Sequence, residues 1–172
     1  MSRRVVITGL GTINPLGNNV HEFWEGVKSN RLGISRIEDF ETDDIGIKVA
    51  GTVKDFEPTD FIEKKEARKM ERFTQFAVVA ANEALKDSGT DFKDIDPYRA
   101  GVIIGCGIGG IGLTLSEHEK FQSKGVNRVS PFYVPMMIGN MAAGQISMKT
   151  GFKGDNFSTV TACPSGTHAV GE

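Results

Sequence analysis

Phe157-Ser158-Thr159-Val160-Thr161-Ala162-Cys163-Pro164-Ser165-Gly166 is the stretch on which the fold turns, because a β-branched and aromatic run passes directly into residues that open a helix. Phe, Val and Thr suit a buried strand over Phe157 to Ala162. Pro164 suits the first helical position, and Gly166, Ala169 and Gly171 permit close packing of the helix that follows. Cys163 thus stands where a strand turns into a helix. At that place unpaired N–H groups and the helix dipole favour the thiolate over the thiol. Serine hydrolases hold their nucleophile on the same kind of sharp elbow, flanked by small residues. Ala162 and Gly166 are the small residues here. The competing reading is a buried, unreactive cysteine that fills space as a small hydrophobe.

Working outward, Arg4 to Thr8 reads as a first, largely buried strand, and a short helix is expected near Val20 to Lys28 with Phe23, Trp24 and Val27 on one side. Asp39 to Phe61 is irregular, with a short strand around Lys48 to Val53. Lys64 to Lys86 gives the clearest helical signal: Ala67, Met70, Phe73, Phe76, Ala77, Ala80, Ala81 and Ala84 recur at intervals of three and four, and Gly89 follows as a cap. Ala100 to Ile104 reads as a second buried strand, followed by a glycine-rich loop and a polar helix over Leu113 to Ser123. Ser130 to Pro135 is expected to be extended, leading to a helix over Met136 to Thr150 that Gly151 stops. This alternation predicts an α/β fold with a parallel-rich sheet reached through right-handed crossovers. Glu172 falls about two turns into the helix opened near Cys163, which leaves that helix short of packing partners. The chain is therefore expected to be a fragment of a longer protein.

Composition narrows the function classes. With 172 residues, 20 basic against 22 acidic and a formal net charge of -2, the chain has no global attraction to nucleic acid or to an anionic membrane. No segment approaches the ~20 apolar residues of a membrane span, and Gly9, Gly11 and Pro15 interrupt the N-terminal apolar run before signal-peptide length. Cys106 and Cys163 make neither a disulfide framework nor a set at metal-ligand spacing, so a reducing cytoplasm is expected and no metal.

Two motifs compete with simpler explanations. Gly105-Cys106-Gly107-Ile108-Gly109-Gly110 has the spacing of a dinucleotide-binding loop, yet the acidic residue wanted at the end of a next strand is replaced by Glu117 and Glu119 inside a helix. A tight turn that lets backbones approach closely explains it as well. Lys64, Lys65, Arg68, Lys69 and Arg72 share one side of a helix, laced with Glu63, Glu66 and Glu71. They read either as a solvated face or as a patch for an acidic protein partner. His168 lies about 140° around its helix from Cys163, which makes it a structural residue rather than the base of a Cys-His pair.

Val5-Val6-Ile7-Thr8-Gly9-Leu10-Gly11, the Gly105 to Gly110 loop, Ser130-Pro131-Phe132-Tyr133-Val134-Pro135 and Thr161-Ala162-Cys163 stand in the order and spacing of a known family. The chain resembles the β-ketoacyl-[acyl-carrier-protein] synthases from end to end, and within them the synthase II type of bacterial fatty-acid synthesis. The resemblance implies the thiolase-like α-β-α-β-α layered sandwich, of which residues 1–172 would be most of the first half, and a homodimer in the complete protein.

It also implies an acyltransferase that performs a decarboxylating Claisen condensation in fatty-acid elongation through an acyl-Cys163 intermediate. No separate cofactor is implied, since substrates ride on the phosphopantetheine of acyl carrier protein. By position, Gly107, Ile108 and Ala162 match the acyl pocket, with Ile108 as its gate, and Tyr133, Val134 and Met137 match the stretch lining the partner's pocket. Lys65, Arg68 and Lys69 match the docking site for acyl carrier protein. Two histidines and a lysine that the family uses would lie beyond Glu172, so residues 1–172 alone are expected to be inactive. Pro164 departs from the small residue usual there and confines Cys163 to extended conformations, which bears on the elbow. The alternatives are a polyketide or initiating ketosynthase of the same fold, or, for these residues alone, a binding or dimerisation module.

Overall fold

The computed structural model describes residues 4–172. It divides into two compact units, one formed by the chain up to Glu57 with Val79–Thr90, the other by Pro58–Val78 with Asp91–Glu172.

In the first unit, helix α1 covers Val20–Lys28, as its apolar spacing predicts, and opens on Asn19, whose side chain accepts the Glu22 N–H at 2.8 Å. Strands β1 (Ser35–Arg36) and β2 (Val49–Ala50) pair antiparallel, Ser35 opposite Ala50. The expected first strand at Arg4 to Thr8 is not formed: the segment is irregular and Val5, Val6 and Ile7 are exposed. A strand needs a neighbour to take its N–H and C=O groups, and the nearby backbone is held instead by carboxylates. Asp87 accepts the Leu10 N–H at 2.9 Å, and Glu83 accepts those of Thr12 and Val20 at 2.9 and 2.8 Å.

The long helix expected over Lys64 to Lys86 is two helices, α2 (Lys64–Ala67) and α3 (Arg72–Asp87). The backbone leaves the helical path between Arg68 and Glu71. Gln75 bridges the break by donating its Nε2 to the carbonyls of Ala67 and Met70 at 3.0 and 3.2 Å.

Also in the second unit, β3 (Val102–Gly105) and β4 (Asn156–Thr159) pair in parallel, Val102 opposite Asn156 and Gly105 opposite Thr159. The crossover between them carries α4 (Ile111–Lys124), α5 (Tyr133–Met137) and α6 (Met141–Thr150). The helix after the glycine loop thus begins two residues earlier than Leu113. The helix expected over Met136 to Thr150 is interrupted at Ile138–Asn140, and Tyr133 to Pro135 are helical rather than extended. Gly151 ends α6 in the left-handed conformation.

Helix α7 (Ser165–Gly171) follows β4. Successive strand residues face opposite sides, and β4 uses both. Asn156 and Ser158 reach the carbonyls of Ala143 and Gly139, at the α6 side, whereas Thr159 Oγ1 donates to Ser165 O at 2.7 Å, at the α7 side. The sheet is therefore sandwiched between α6 and α7. Ala142, Ala143, Ile146 and Val102 are buried in that sandwich, and removing water from such apolar surface stabilises it by roughly 25 cal/mol per Å².

Candidate active site

The parallel ladder continues past β3, with Cys106 N–H donating to Thr159 O at 3.1 Å, so the carboxyl ends of both strands open at the same level. Gly105 is required there: a Cβ on it would lie 2.3 Å from the Ser165 carbonyl carbon, so any side chain would push α7 off the sheet. Its neighbour Gly109, at φ 86, adopts a conformation L side chains avoid, and a Cβ there would strike Met137 O at 2.3 Å. Gly110 N–H donates to that same Met137 oxygen at 2.8 Å. The loop's glycines are thus filled by the end of α5, the close backbone approach that explains the glycine spacing without a nucleotide.

Cys163 is exposed on the link from β4 to α7. It and Pro164 are the central residues of a turn closed by Ser165 N–H donating to Ala162 O at 3.1 Å. Pro164 sits just outside the helix at φ -81, one position before the place its sequence predicts. The left-handed conformation falls on Ala162, at φ 57, where a non-glycine residue costs about 1–2 kcal/mol. Hydrogen bonds hold it there. Ser165 Oγ donates to Ala162 O at 2.6 Å and accepts Thr161 N–H at 2.9 Å. His168 Nδ1 shares a hydrogen bond with Thr161 Oγ1 at 2.8 Å, so the imidazole is tied to the loop.

The structure brings part of the expected pocket together. A Cβ on Gly107 would lie 3.7 Å from Ala162 O, next to Cys163, and the Met137 carbonyl is seated on the Gly109–Gly110 loop. Tyr133 hydroxyl reaches Thr114 Oγ1 at 3.3 Å, while Ile108 and Val134 are 72% and 55% exposed. Among the described residues no cluster of three His, Cys, Asp or Glu side chains could hold a metal ion, and no helix is long and apolar enough to cross a membrane.

Lys65, Arg68 and Lys69 are exposed on α2 and the turn after it. The acids among them are already engaged. Glu63 caps α2 by accepting the N–H groups of Lys65 and Glu66, Glu66 pairs with Lys149, and Glu71 accepts the Arg72 N–H. Lys69 Nζ lies 5.6 Å from the Phe132 ring centroid. Sequence reasoning missed Ser165, Lys149 and Phe132. A hydroxyl directly after Pro164 was the available signal for Ser165, whereas nothing local marks the distant partners.

One buried charge supports the Tyr133 segment. Glu117 is 3% exposed. Its Oε1 takes Lys120 Nζ at 2.5 Å and its Oε2 accepts Ser130 N–H at 2.7 Å. The Lys120 hydrogen bond first, then the Ser130 N–H, hold this carboxyl below the usual carboxylate range, against the opposing effect of burial. A carboxyl lowered on folding contributes stability that is fully present above its unfolded value of about 4.3 and is lost as pH falls through the lower folded value. Glu117→Gln should therefore lower Tm by about 2–4 °C at neutral pH, with the gap closing below about pH 4. Thermal scans across pH check this, and a gap that persists unchanged into strong acid contradicts it.

The family pattern described as "Beta-ketoacyl synthase, N-terminal domain" matches residues 2–172, and the chain belongs to that family. It is 48% identical over 171 residues to the 3-oxoacyl-[acyl-carrier-protein] synthase 2 of Staphylococcus aureus (strain N315), covering 99% of this chain and 41% of that protein. The protein of the same name from Synechocystis sp. (strain ATCC 27184 / PCC 6803 / Kazusa) is 42% identical over 170 residues, with 99% and 41% covered. The chain thus spans about two fifths of the length of these curated relatives. Among solved structures, it superposes on the complex of a type II polyketide synthase acyl-carrier protein with its ketosynthase bound to the hexaketide. There the TM-score is 0.83 at 29% identity, covering 99% of this chain and 46% of that one. A beta-ketoacyl synthase from Burkholderia phymatum STM815 gives 0.79 at 26%, covering 99% and 42%. The fold is the thiolase-like α/β fold of the ketosynthases.

Proposed function

We propose that the complete protein is an elongating β-ketoacyl-[acyl-carrier-protein] synthase of fatty-acid synthesis, with Cys163 as the acylated nucleophile. The observation that carries this is the exposed thiol on a strand-to-helix link whose backbone is fixed by a buried serine. The Cys163 sulfur attacks the thioester carbonyl of an acyl-carrier protein, a carbon–sulfur bond forms, and the phosphopantetheine thiol leaves with the proton. The Cys163 N–H is one donor to the oxyanion that develops. Malonyl-carrier protein then loses CO2, its carbanion attacks the acyl-Cys163 carbonyl, and the Cys163 thiolate is expelled as β-ketoacyl-carrier protein forms.

Gly107, Ile108 and Ala162 border the acyl chain, and Tyr133, Val134 and Met137 serve the pocket of a second copy in a homodimer. The exposed Phe157 and Val160 at β4, whose described pairing is to β3 alone, support such an assembly. Lys65, Arg68 and Lys69 receive the acidic carrier protein, and the protein works in the cytoplasm.

Identities of 48% and 42% to synthases named for 3-oxoacyl-carrier-protein formation, against 29% to a polyketide ketosynthase, favour fatty-acid elongation over the polyketide alternative. Incubating the complete protein with acyl- and malonyl-carrier protein tests the reading. One β-ketoacyl-carrier protein should appear per CO2 released, and a polypeptide of residues 1–172 alone should yield none. No β-ketoacyl product from the complete protein would overturn it.

A further inference from the structure

We infer that Ser165 is the residue that positions the Cys163 nucleophile, an inference that rests on the reading of Cys163 just given. Ser165 is 3% exposed although the link it follows is open to solvent, with Val160, Thr161, Ala162, Cys163 and Pro164 all exposed. Every polar atom of Ser165 that could face that link does so. Its hydroxyl donates to Ala162 O and accepts Thr161 N–H, its own N–H donates to the same Ala162 oxygen, and its carbonyl accepts Thr159 Oγ1. One residue thus ties three positions on the strand side of Cys163.

The bonds bear on the conformation that matters. Ala162 is held at φ 57, a region alanine avoids, and it is the residue immediately before the nucleophile. A local minimum would draw Ala162 back to negative φ and swing the Cys163 sulfur away. Two hydrogen bonds converging on the Ala162 oxygen oppose that relaxation. Helix capping does not account for the hydroxyl: Pro164 occupies the N-cap without a side-chain bond, and the Ser165 oxygen faces back into the link rather than along α7. Gly105, which leaves room for the Ser165 backbone against β3, completes the seat. Ser165 touches no reacting atom and acts through the loop.

Misplacing a reacting group by about an ångström costs on the order of 100-fold. In the complete enzyme, Ser165→Ala should therefore slow acyl transfer from an octanoyl-carrier-protein thioester by about 10- to 100-fold in kcat with KM little changed. Alkylation of Cys163 by iodoacetamide needs only an accessible thiol and should stay within about twofold of wild type, since small-electrophile attack lacks the orientational demand. Adding Ala162→Gly to that variant should recover part of the loss, because glycine adopts positive φ without the clamp.

Equal loss of acyl transfer and alkylation, or no recovery in the double variant, overturns the positioning role. Wild-type acyl transfer by Ser165→Ala overturns it as well. Should Ser165→Ala not give folded protein, Thr159→Val removes the bond to the Ser165 carbonyl at constant shape. Slower acyl transfer at unchanged alkylation then supports the role and unchanged transfer refutes it. Absence of acylation at Cys163 in the wild type is a different failure, that of the nucleophile assignment itself, and is seen before any Ser165 variant is made.

Discussion

Cys163→Ala should abolish condensation by the complete protein, with β-ketoacyl product falling by about 10⁴-fold or more, the scale on which removing a covalent nucleophile acts. Serine at the same position rescues little. A hydroxyl needs a general base to attack, and His168, on the helix that follows, has its Nδ1 engaged with Thr161 Oγ1. Cys106 offers no substitute, because its sulfur is directed at the Gly139 backbone, where a Cβ on Gly139 would lie 3.2 Å from it. Product formation is followed by mass spectrometry of the carrier protein. Retention of more than about a tenth of wild-type turnover by Cys163→Ala would remove the thiol from the mechanism, since loss of a unit-acting nucleophile is never that mild.

Arg68→Glu should act on encounter rather than chemistry. Glu63, Glu66 and Glu71 are occupied by an N-cap, an ion pair with Lys149 and the Arg72 N–H, so Lys65, Arg68 and Lys69 present their charge outward. Steering by such charges raises association rates by ten-fold or more at low salt and fades as salt screens it. Reversal at Arg68 should slow acylation from a carrier-protein thioester by about tenfold at low salt and flatten its salt dependence. Acylation from a small pantetheine thioester, which has no acidic surface, should stay at the wild-type rate. Equal loss with both donors would make Arg68 a support of the fold and not a docking residue.

The elements that carry their own periodicity or punctuation were legible in sequence: α1, β3, α4, the start of α7 after Cys163, and the Gly151 stop; the buried strand expected over Phe157 to Ala162 is instead Asn156–Thr159, followed by exposed loop from Val160 to Pro164. The misreadings share a cause. Ala67, Met70, Thr74 and Val78 are all buried and keep helical spacing straight across the break at Arg68–Glu71, so the apolar pattern reads as one helix. At the break Gln75 reaches back to two carbonyls, a contact that no local rule announces. The interruption at Ile138–Asn140 likewise answers to tertiary demands, since the Met137 carbonyl serves Gly110 N–H and the Gly139 carbonyl serves Ser158.

Arg4 to Thr8 has strand composition and no pairing strand among the described residues, and composition cannot supply the partner. At the site, the strand-to-helix position of Cys163 was legible because strand, proline and small residues converge on it. Ser165 was not, because its role lies in where its hydroxyl points. Tyr133, Val134 and Ile108 could be matched only by resemblance, since exposed apolar residues carry no signature of what they face.

The most direct test of the account is the site of the acyl adduct. The complete enzyme is incubated with an acyl-carrier-protein thioester in the absence of malonyl-carrier protein, digested, and its peptides mapped by mass spectrometry. The acyl mass should sit on the peptide carrying Cys163, with the Cys106 peptide unmodified. Acylation of Cys106 with Cys163 left free, or no protein adduct while the carrier protein is consumed, would contradict the assignment of Cys163 as the nucleophile.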